Sequence, residues 1–451
     1  MKIVVIGAGE LGQMLAERMS ASRHDIVLLD REKSEFERVR DTLDVGMVTG
    51  DATNVSVLKR AGILNADLLL AVSGDQPSNM LACQLARHFH CKSTICRVYS
   101  STVFSSADGV MPEFFGIDKW FSSPEECHKH IMEVLRYQCV LEQMEFSNPE
   151  ASMIAARVAE ETPIAGKSLK ELAEAGLMDG IRLAALVRNR QLKFPRGDSK
   201  LQAGDRIYIS GPRRNVENFL LMGCGQQPPS GELVVIGGVS LLTELLVKSL
   251  IRVGMRVCVI EPDAERQEEF LSKMPEHVDV LNGDPTDSEA LEEAGVRKCY
   301  AYIGTEKEDE RNILSCILAK RMGAGKVVTV THKAEYASMV PEMELIDCGF
   351  NSTVESANAV FRLMDSGTIR IDSNLQSFHA YLTEFKIQPA SRLIGKRIRD
   401  AQLPRDVILA MMFRDKEIIT PVGETMLDNG DVVVAIVTSE AEAAVLPYFK
   451  G

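Results

Sequence analysis

Short apolar runs alternate with longer amphipathic stretches through the N-terminal part of the chain. The apolar runs predict β-strands at residues 3–6, 26–30, 46–49, 68–72 and 94–98. The stretches between them carry apolar residues at helical spacing and predict helices at residues 10–21, 33–43, 55–61 and 78–89. Strands that alternate with helices in this way predict a parallel sheet with helices on both faces.

The same pattern returns about 230 residues further along the chain. Four segments recur in the same order: 4–7 as 234–237, 26–30 as 257–261, 50–53 as 283–286, and 79–83 as 312–316. Self-similarity over so long a period indicates a duplicated domain.

A second, smaller module follows each copy. Residues 164–169 are similar to 393–398, and residues 203–208 are similar to 429–434. A Gly-Asp turn before a β-branched run suits a compact fold rich in strands. We therefore predict an α/β protein with two tandem Rossmann-like parallel-sheet domains, each followed by a small α+β domain. The predicted bounds are 1–122 and 232–350 for the Rossmann-like domains, 140–223 and 370–451 for the small domains, and 224–231 for a linker.

Composition and charge exclude several classes of protein. The chain is 45% hydrophobic, and its 51 Lys and Arg against 64 Asp and Glu give a formal net charge of -13. An acidic protein repels phosphate backbones, so we expect no nucleic-acid partner. No apolar run approaches the about 18 residues that a membrane-spanning helix needs, and the N-terminus does not look like a signal peptide. We expect a cytosolic protein that meets a membrane only through a partner.

Ten cysteines are scattered along the chain without paired spacing. In a reducing cytosol such cysteines are expected to be buried small hydrophobes. The densest group of metal-ligating residue types, His88, His90, Cys91 and Cys96, matches no common zinc spacing. We therefore assign no metal site.

A glycine-rich loop joins the first predicted strand to the first predicted helix. Glycine permits a tight turn and a close approach of the backbone to a pyrophosphate, which then faces the free N–H groups at the helix start. A strand before the loop and a helix after it are the context that this chemistry requires. The loop predicts a dinucleotide site formed by Gly7, Ala8, Gly9, Glu10, Leu11 and Gly12.

An acidic residue, Asp30, ends the second predicted strand. Its distance from the glycine loop is the one at which Rossmann folds place a ribose ligand. A carboxylate there accepts hydrogen bonds from the ribose hydroxyls of an adenosine and repels a 2′-phosphate. The sequence therefore favours NAD+ or NADH over their 2′-phosphorylated forms.

Further candidate contacts follow the other predicted strands, whose carboxyl ends meet at one edge of the sheet. Asp51 and Ala52 follow the third strand, Ser73 and Gly74 follow the fourth, and Arg97 ends the fifth. We expect the first pair to border the adenine, the second pair to approach ribose or phosphate, and Arg97 to face the diphosphate. Turn formation, or a surface ion pair for Arg97, is the alternative for each.

The second copy of the loop has drifted. The repeat places Val239 and Leu242 at its second and third glycine positions, and Thr331 where Arg97 stands. A side chain at the second position crowds a pyrophosphate, so we expect weakened or altered binding there, with a structural role as the alternative. The candidate contacts of this copy are Ile236, Gly237, Gly238, Val239, Ser240 and Glu261.

The sequence offers no group suited to catalysis beside the nucleotide. A dehydrogenase needs a proton-transfer residue near the nicotinamide. None of the eight histidines falls within residues 164–208 or 393–434, the recurring parts of the small modules. No catalytic residue is assigned, and the nucleotide is interpreted as a signal. An NAD-dependent oxidoreductase and a ligand-free assembly scaffold are the alternatives.

The sequence resembles a known family, the RCK (also called KTN) regulators of potassium transport, and in particular the duplicated regulatory subunits of Trk potassium-uptake systems. The resemblance lies in residues 4–12 and 50–53 and in the Gly-Lys start and Gly-Asp turn of each small module. Residues 115–118 and 122–125 are similar to the family's crossover region. The resemblance therefore implies crossover helices at residues 123–139 and 351–369.

The resemblance also implies a function. Such a chain binds NAD+, NADH, or adenine nucleotides such as ATP and ADP, and it forms a homo-oligomeric ring on the inner face of the cell membrane. Its implied partner is a membrane potassium-transporter subunit of the TrkH or TrkG type. Nucleotide binding changes the shape of the ring and so gates the pore.

Overall fold

The computed structural model describes residues 1–450 except 22–23, 38, 41, 105–107, 225–230, 276–277, 344, 365–367, 372 and 405. The chain forms two compact units. The first comprises residues 1–128, 331–336 and 350–364, and the second comprises residues 129–330, 337–349 and 365–451. Most of the predicted linker, residues 225–230, lies outside the described residues.

The N-terminal sheet is parallel and has the strand order β3-β2-β1-β4-β5-β6. This is the order of the Rossmann fold, in which β1 and β4 flank the ligand crevice. The strands are β1 (Lys2–Ile6), β2 (Asp25–Asp30), β3 (Gly46–Thr49), β4 (Leu68–Ala71), β5 (Ser93–Val98) and β6 (Lys119–Ser122), and the helices are α1 (Glu10–Ala21), α2 (Val55–Arg60) and α3 (Gln76–His88).

One predicted helix of this domain is wrong. Residues 33–43 were expected to be helical, but the described residues there form only a 3-10 turn, Lys33–Phe36. No side chain caps its start, and Phe36 and Val39 enter the core through successive short turns. The apolar spacing reflects that burial and not a continuous helix.

Helix α4 (Ser123–Leu135), in the segment for which the resemblance implies a crossover helix, leads into the first small domain. Its five-stranded sheet has the order β10-β9-β11-β8-β7, and its strand pairs are antiparallel. The elements are β7 (Val140–Met144), β8 (Ala151–Arg157), α5 (Leu169–Glu174), β9 (Arg182–Arg188), β10 (Gln191–Lys193), β11 (Arg206–Pro212) and α6 (Arg213–Gly223).

The second half repeats the Rossmann order as β14-β13-β12-β15-β16-β17. Its strands are β12 (Leu233–Gly237), β13 (Arg256–Glu261), β14 (Asp279–Asn282), β15 (Ala301–Gly304), β16 (Lys326–Thr331) and β17 (Cys348–Asn351). Its helices are α7 (Leu241–Arg252), α8 (Ala264–Ser272), α9 (Ser288–Glu293), α10 (Asp309–Met322), α11 (Ala334–Met339) and the second crossover helix α12 (Ser352–Leu363).

The second small domain is another five-stranded sheet, ordered β18-β19-β22-β20-β21, with antiparallel pairs. It contains β18 (Thr368–Ile371), β19 (Ala380–Lys386), β20 (Val407–Arg414), β21 (Glu417–Ile419), β22 (Val432–Thr438) and α13 (Glu442–Lys450). The predicted fold class, two parallel-sheet domains each followed by a small α+β domain, is therefore confirmed.

Two apolar layers cover the N-terminal sheet because successive side chains of a strand point to opposite faces. Ile3 and Val5 pack with α1 on one face, where α12 adds Ala357 and Val360. The other face packs against α2 and α3, and its cluster includes Cys83, Cys91 and Cys96. All ten cysteines are buried and free of disulfides, as predicted.

A fully buried lysine organises the start of the second unit. Lys326, at the start of β16, donates from Nζ to the carbonyl oxygens of Val134 (2.5 Å), Tyr137 (2.8 Å) and Val140 (2.6 Å). The phenol of Tyr300 donates to the carbonyl oxygen of Leu135 at 2.7 Å. Burial lowers the pKa of Lys326. These bonds fix the last turn of α4 and the residues that follow it against the second Rossmann-like sheet.

None of the helices in the described part of the chain combines the length and the apolar character that crossing a membrane requires.

Candidate functional site

The three glycines of the first loop lie in three different environments. Gly7 has φ +98°, and a Cβ there would lie 2.7 Å from the Cα of Ser73. A Cβ on Gly12 would lie 1.8 Å from the carbonyl oxygen of Gly7, so only glycine lets α1 start this close to the loop. Gly9 has nothing within 4 Å of its Cβ direction, which leaves the backbone open to a ligand.

Asp30 is bonded directly to the glycine loop. Its Oδ2 accepts the N–H of Ala8 at 2.7 Å, and its Oδ1 accepts the N–H of Glu32 at 3.0 Å. The side chain is only partly buried. A carboxylate has about four acceptor positions, so acceptor capacity remains for hydroxyl donors.

A pocket of about 280 Å³ opens at the carboxyl ends of β1, β2 and β4. This volume is near the lower end of the range for ligand pockets, roughly 300–1,000 Å³. The pocket is lined by Ile6, Gly7, Leu29, Asp30, Arg31, Gly50, Ala52, Ser73, Gly74, Asp75 and Ser78. Parallel strands that end at a topological switch point predict a crevice here.

Five residues that the sequence singles out line this pocket: Gly7, Asp30, Ala52, Ser73 and Gly74. The rest of the first set lies around it. Asp51 borders the mouth, and the loop and first turn of α1 contain Ala8, Gly9, Glu10, Leu11 and Gly12.

Arg31 was missed by the sequence reasoning. Its Nη2 donates to the hydroxyl of Ser78 at 2.8 Å and lies 3.4 Å from Asp51 and 3.5 Å from Asp75. The guanidinium thus bridges β3 and the start of α3 across the mouth of the pocket. An arginine directly after the ribose acid was the available signal, because that position bears on phosphate recognition in Rossmann folds.

The two carboxylates that face Arg31 are held in their charged forms. The pKa of Asp51 is lowered, first by the hydrogen bonds from Thr53 and then by Arg31. The pKa of Asp75 is lowered by its bonds to Ser78, with a smaller contribution from Arg31. The pocket mouth therefore carries two negative charges and one positive charge.

Asn79 fixes the end of β4. Its Oδ1 accepts the N–H of Ser73 at 3.1 Å and the hydroxyl of Ser73 at 2.6 Å. Its Nδ2 donates to the carbonyl oxygens of Ser73 (3.0 Å) and Arg97 (3.2 Å). One buried amide thus joins the ends of β4 and β5, which explains why this asparagine recurs in the second half.

Arg97 does not line the pocket. Ile95, two residues before it in β5, packs in the apolar layer that contains α1, so Arg97 lies on the same face of the sheet as the helix that follows the glycine loop. Burial lowers the pKa of Arg97. Within the described residues, its guanidinium makes no hydrogen bond or ion pair. An unpaired, partly buried cation favours an anionic ligand.

The structure shifts the correspondence between the two loops by one residue. β12 pairs Gly237 with Ile260, as β1 pairs Ile6 with Leu29. Gly237 therefore stands where Ile6 does, and Gly238, with φ +92°, stands where Gly7 does.

The sequence alignment of the second loop is therefore wrong. Ser240 and Thr243, and not Val239 and Leu242, occupy the second and third glycine positions. The Gly237-Gly238 doublet allows two alignments, and only the strand pairing decides between them. The counterpart of Arg97 is likewise Val330 and not Thr331, because Asn312 donates to the carbonyl oxygen of Val330 at 2.9 Å.

The carboxylate at the second ribose position, Glu261, is already bonded to groups of the protein itself. Glu261 is fully buried and accepts the N–H groups of Val239 (2.9 Å) and Asp263 (3.1 Å). It also pairs with Arg266, whose Nη1 lies 3.3 Å away. Ile236 is buried within β12. The second copy therefore has a carboxylate at the ribose position, but this carboxylate is buried, whereas Asp30 is partly exposed.

Comparisons with known proteins first define a class. The chain is similar to the crystal structure of the GsuK RCK domain, with a TM-score of 0.62 and 18% identity over 98% of this chain and 93% of that one. It is similar to the GsuK channel bound to NAD, with a TM-score of 0.61 and 18% identity over 98% of this chain and 78% of that one. The fold is that of a tandem RCK protein.

Family and sequence comparisons then identify the particular group. The TrkA-N domain family matches residues 3–106 and 234–350, and the TrkA-C domain family matches residues 153–221 and 382–450. A Trk system potassium uptake protein TrkA homolog from Archaeoglobus fulgidus is 31% identical over 96% of both chains. TrkA of Halomonas elongata is 27% identical over 97% of this chain and 96% of that protein. The chain belongs to the TrkA family of Trk-system potassium uptake proteins.

Proposed function

We propose that this chain is a nucleotide-sensing regulatory subunit that gates a membrane potassium-uptake transporter. It binds NAD+ or NADH, or an adenine nucleotide such as ATP or ADP, at the first glycine loop, and it catalyses no reaction. The observation that carries the proposal is the pocket in which the glycine loop, Asp30 and the Asn79-held end of β4 converge. Membership of the TrkA family supplies the transport context.

In this proposal, each group at the pocket has a role. The hydroxyls of an adenosine ribose donate to Asp30, and the diphosphate lies over Gly9 at the start of α1, where the backbone N–H groups favour negative charge. Arg97 supplies a cation on the same face of the sheet. Asp51 and Ala52 border the base, and Ser73 and Gly74 border the ribose and phosphates.

The nucleotide gates the pore if it binds two conformations of the protein unequally. A coupling free energy of about 1–3 kcal/mol means that nucleotide binding shifts the equilibrium between the two conformations 5–150-fold. The pocket suits this role because its lining residues lie at or just after the carboxyl ends of β1, β2, β3 and β4, so that one ligand would contact all four segments. We propose that the chain acts within a homo-oligomeric ring on the cytoplasmic side of the membrane.

The partner is expected to be a membrane potassium-transporter subunit of the TrkH or TrkG type. Affinity purification of the tagged chain from detergent-solubilised membranes should recover such a subunit, in an amount that changes between NADH and ATP. The experiment uses the full chain with each nucleotide in turn. Recovery of no potassium transporter under any nucleotide condition would contradict the proposed function.

A further inference from the structure

Glu306 stands in the second half where Ser73 stands in the first. Asn312 Oδ1 accepts the N–H of Glu306 at 2.8 Å, and Asn312 Nδ2 donates to the carbonyl oxygen of Glu306 at 2.7 Å. Asn79 makes the same two bonds with Ser73. The two asparagines fix the equivalence independently of any sequence alignment.

The side chain of Glu306 lies over the second glycine loop. A Cβ built on Gly238 would be 2.5 Å from the Cγ of Glu306, and Glu306 itself is only 9% exposed. At the first loop, the same space is bordered by the short side chain of Ser73, and the pocket opens there. A carboxylate side chain thus occupies the space that the first loop leaves for a ligand.

A partly exposed arginine pairs with that carboxylate and holds it in place. Arg311 donates from Nε to Glu306 at 2.9 Å and from Nη2 to Asp284 at 2.8 Å. Arg311 is the counterpart of Ser78, and Asp284 is the counterpart of Asp51. The arginine therefore crosses the second crevice from α10.

The start of α7 is capped by two hydroxyl side chains. Ser240 and Thr243 cap the helix reciprocally: the hydroxyl of Ser240 accepts the N–H of Thr243 at 3.2 Å, and the hydroxyl of Thr243 accepts the N–H of Ser240 at 3.1 Å. Thr243 also donates to the carbonyl oxygen of Gly238 at 2.9 Å. Two of the N–H groups at the helix start, those of Ser240 and Thr243, are therefore engaged by the helix's own cap.

The charges around the second crevice also disfavour a phosphate there. Burial raises the pKa of Glu306, Arg311 opposes this, and the nearby carboxylates of Asp284 and Glu261 raise it further. Three carboxylates thus surround the second crevice. The first pocket is likewise bordered by Asp30, Asp51 and Asp75, so the difference lies in Glu306, which places a carboxylate against Gly238 where the first loop has the uncharged Ser73. A phosphate at that position would be repelled by it.

We propose that Glu306, held by Arg311, occupies the phosphate position of the second glycine loop, so that the chain binds one nucleotide and binds it at the first loop. The inference rests on the proposed function of the first loop. The second Rossmann-like domain then acts as a copy closed by its own side chains, and only the first half responds to nucleotide.

The test removes the first site and then reopens the second. Calorimetric titration with NADH and with ATP should give one nucleotide per wild-type chain and a strong loss of binding in Asp30→Ala. Adding Glu306→Ser and Arg311→Ser, the residue types found at Ser73 and Ser78, should restore binding to at least tenfold tighter than Asp30→Ala alone. Glu293→Ser with Arg321→Ser, exposed residues at the C-terminal ends of α9 and α10, is the matched control and should restore nothing.

Three results separate the possibilities. Two equivalent nucleotides bound per wild-type chain would overturn the closure of the second loop while leaving the proposed function intact. A triple variant that melts like Asp30→Ala and binds no more tightly would overturn the role of Glu306 and Arg311. Wild-type protein that takes up neither nucleotide would overturn the proposed function, and with it the inference that rests on it.

Discussion

Replacing Asp30 with alanine is expected to raise the dissociation constant for NADH about 100-fold without unfolding the protein. A hydrogen bond to a charged acceptor contributes about 1.5–3 kcal/mol, and each 1.4 kcal/mol is a factor of ten in affinity. The substitution removes the ribose acceptor and also the bond that holds the N–H of Ala8. Isothermal titration calorimetry measures the change directly.

Asp25→Ala is the matched control for this variant. Asp25 lies at the other end of β2, is exposed, and has the same charge. We expect its affinity for NADH to stay within about twofold of wild type, because exposed carboxylates this far away are screened by solvent and salt. An Asp30→Ala protein that binds NADH as tightly as the Asp25→Ala protein would show that the ribose is not held at Asp30.

Lys326→Met is expected to destabilise the second unit by roughly 3 kcal/mol. The methionine fills most of the volume but leaves the carbonyl oxygens of Val134, Tyr137 and Val140 without their donor. Each buried polar group left unsatisfied costs about 1–3 kcal/mol, and relief from burying an ammonium offsets part of that total. The melting temperature reports the loss.

Hydrogen exchange locates the Lys326 effect. Protection of amides in residues 134–140 should fall in Lys326→Met, while protection of the N-terminal sheet should stay as in wild type. Lys248→Met, at an exposed position on α7, serves as the control and should change neither. Unchanged protection of residues 134–140 in Lys326→Met would mean that the buried ammonium does not hold this segment.

The sequence predicted the fold well because its signals were local. Apolar runs bounded by turns predicted β1, β2, β4 and β5. The repeated segments then predicted that the second half has the same fold. The predicted helix at 33–43 failed for a physical reason: apolar spacing records burial, and Phe36 and Val39 are buried through turns instead.

The candidate site was predictable only where the motif is carried by consecutive residues. The glycine loop and Asp30 lie in short segments of fixed spacing, so sequence sufficed to bring them together. Arg31 was missed because its partners, Asp51 and Asp75, approach it only through the fold. Its position directly after Asp30 was the available signal for a role at the pocket, but the contacts themselves depend on the fold.

The second loop is a further case in which sequence alone could not predict the contacts. Its alignment was ambiguous by one residue because Gly237 and Gly238 are identical neighbours, and strand register resolved it. The closing pair, Glu306 and Arg311, looks like ordinary surface charge in a polar helix start. Only the structure shows that Glu306 is buried against Gly238, and this burial is what indicates its role.

We propose that nucleotide bound at the first loop controls potassium uptake, and a measurement of potassium flux tests this control. The full chain would be reconstituted into proteoliposomes with its co-purified transporter, and flux measured with and without NADH or ATP for wild type, Asp25→Ala and Asp30→Ala. We predict that nucleotide changes flux about 5–150-fold in wild type and Asp25→Ala, in line with an ordinary coupling free energy, and leaves Asp30→Ala unchanged. A wild-type flux that ignores every nucleotide, or an Asp30→Ala flux that responds as wild type does, would contradict the account.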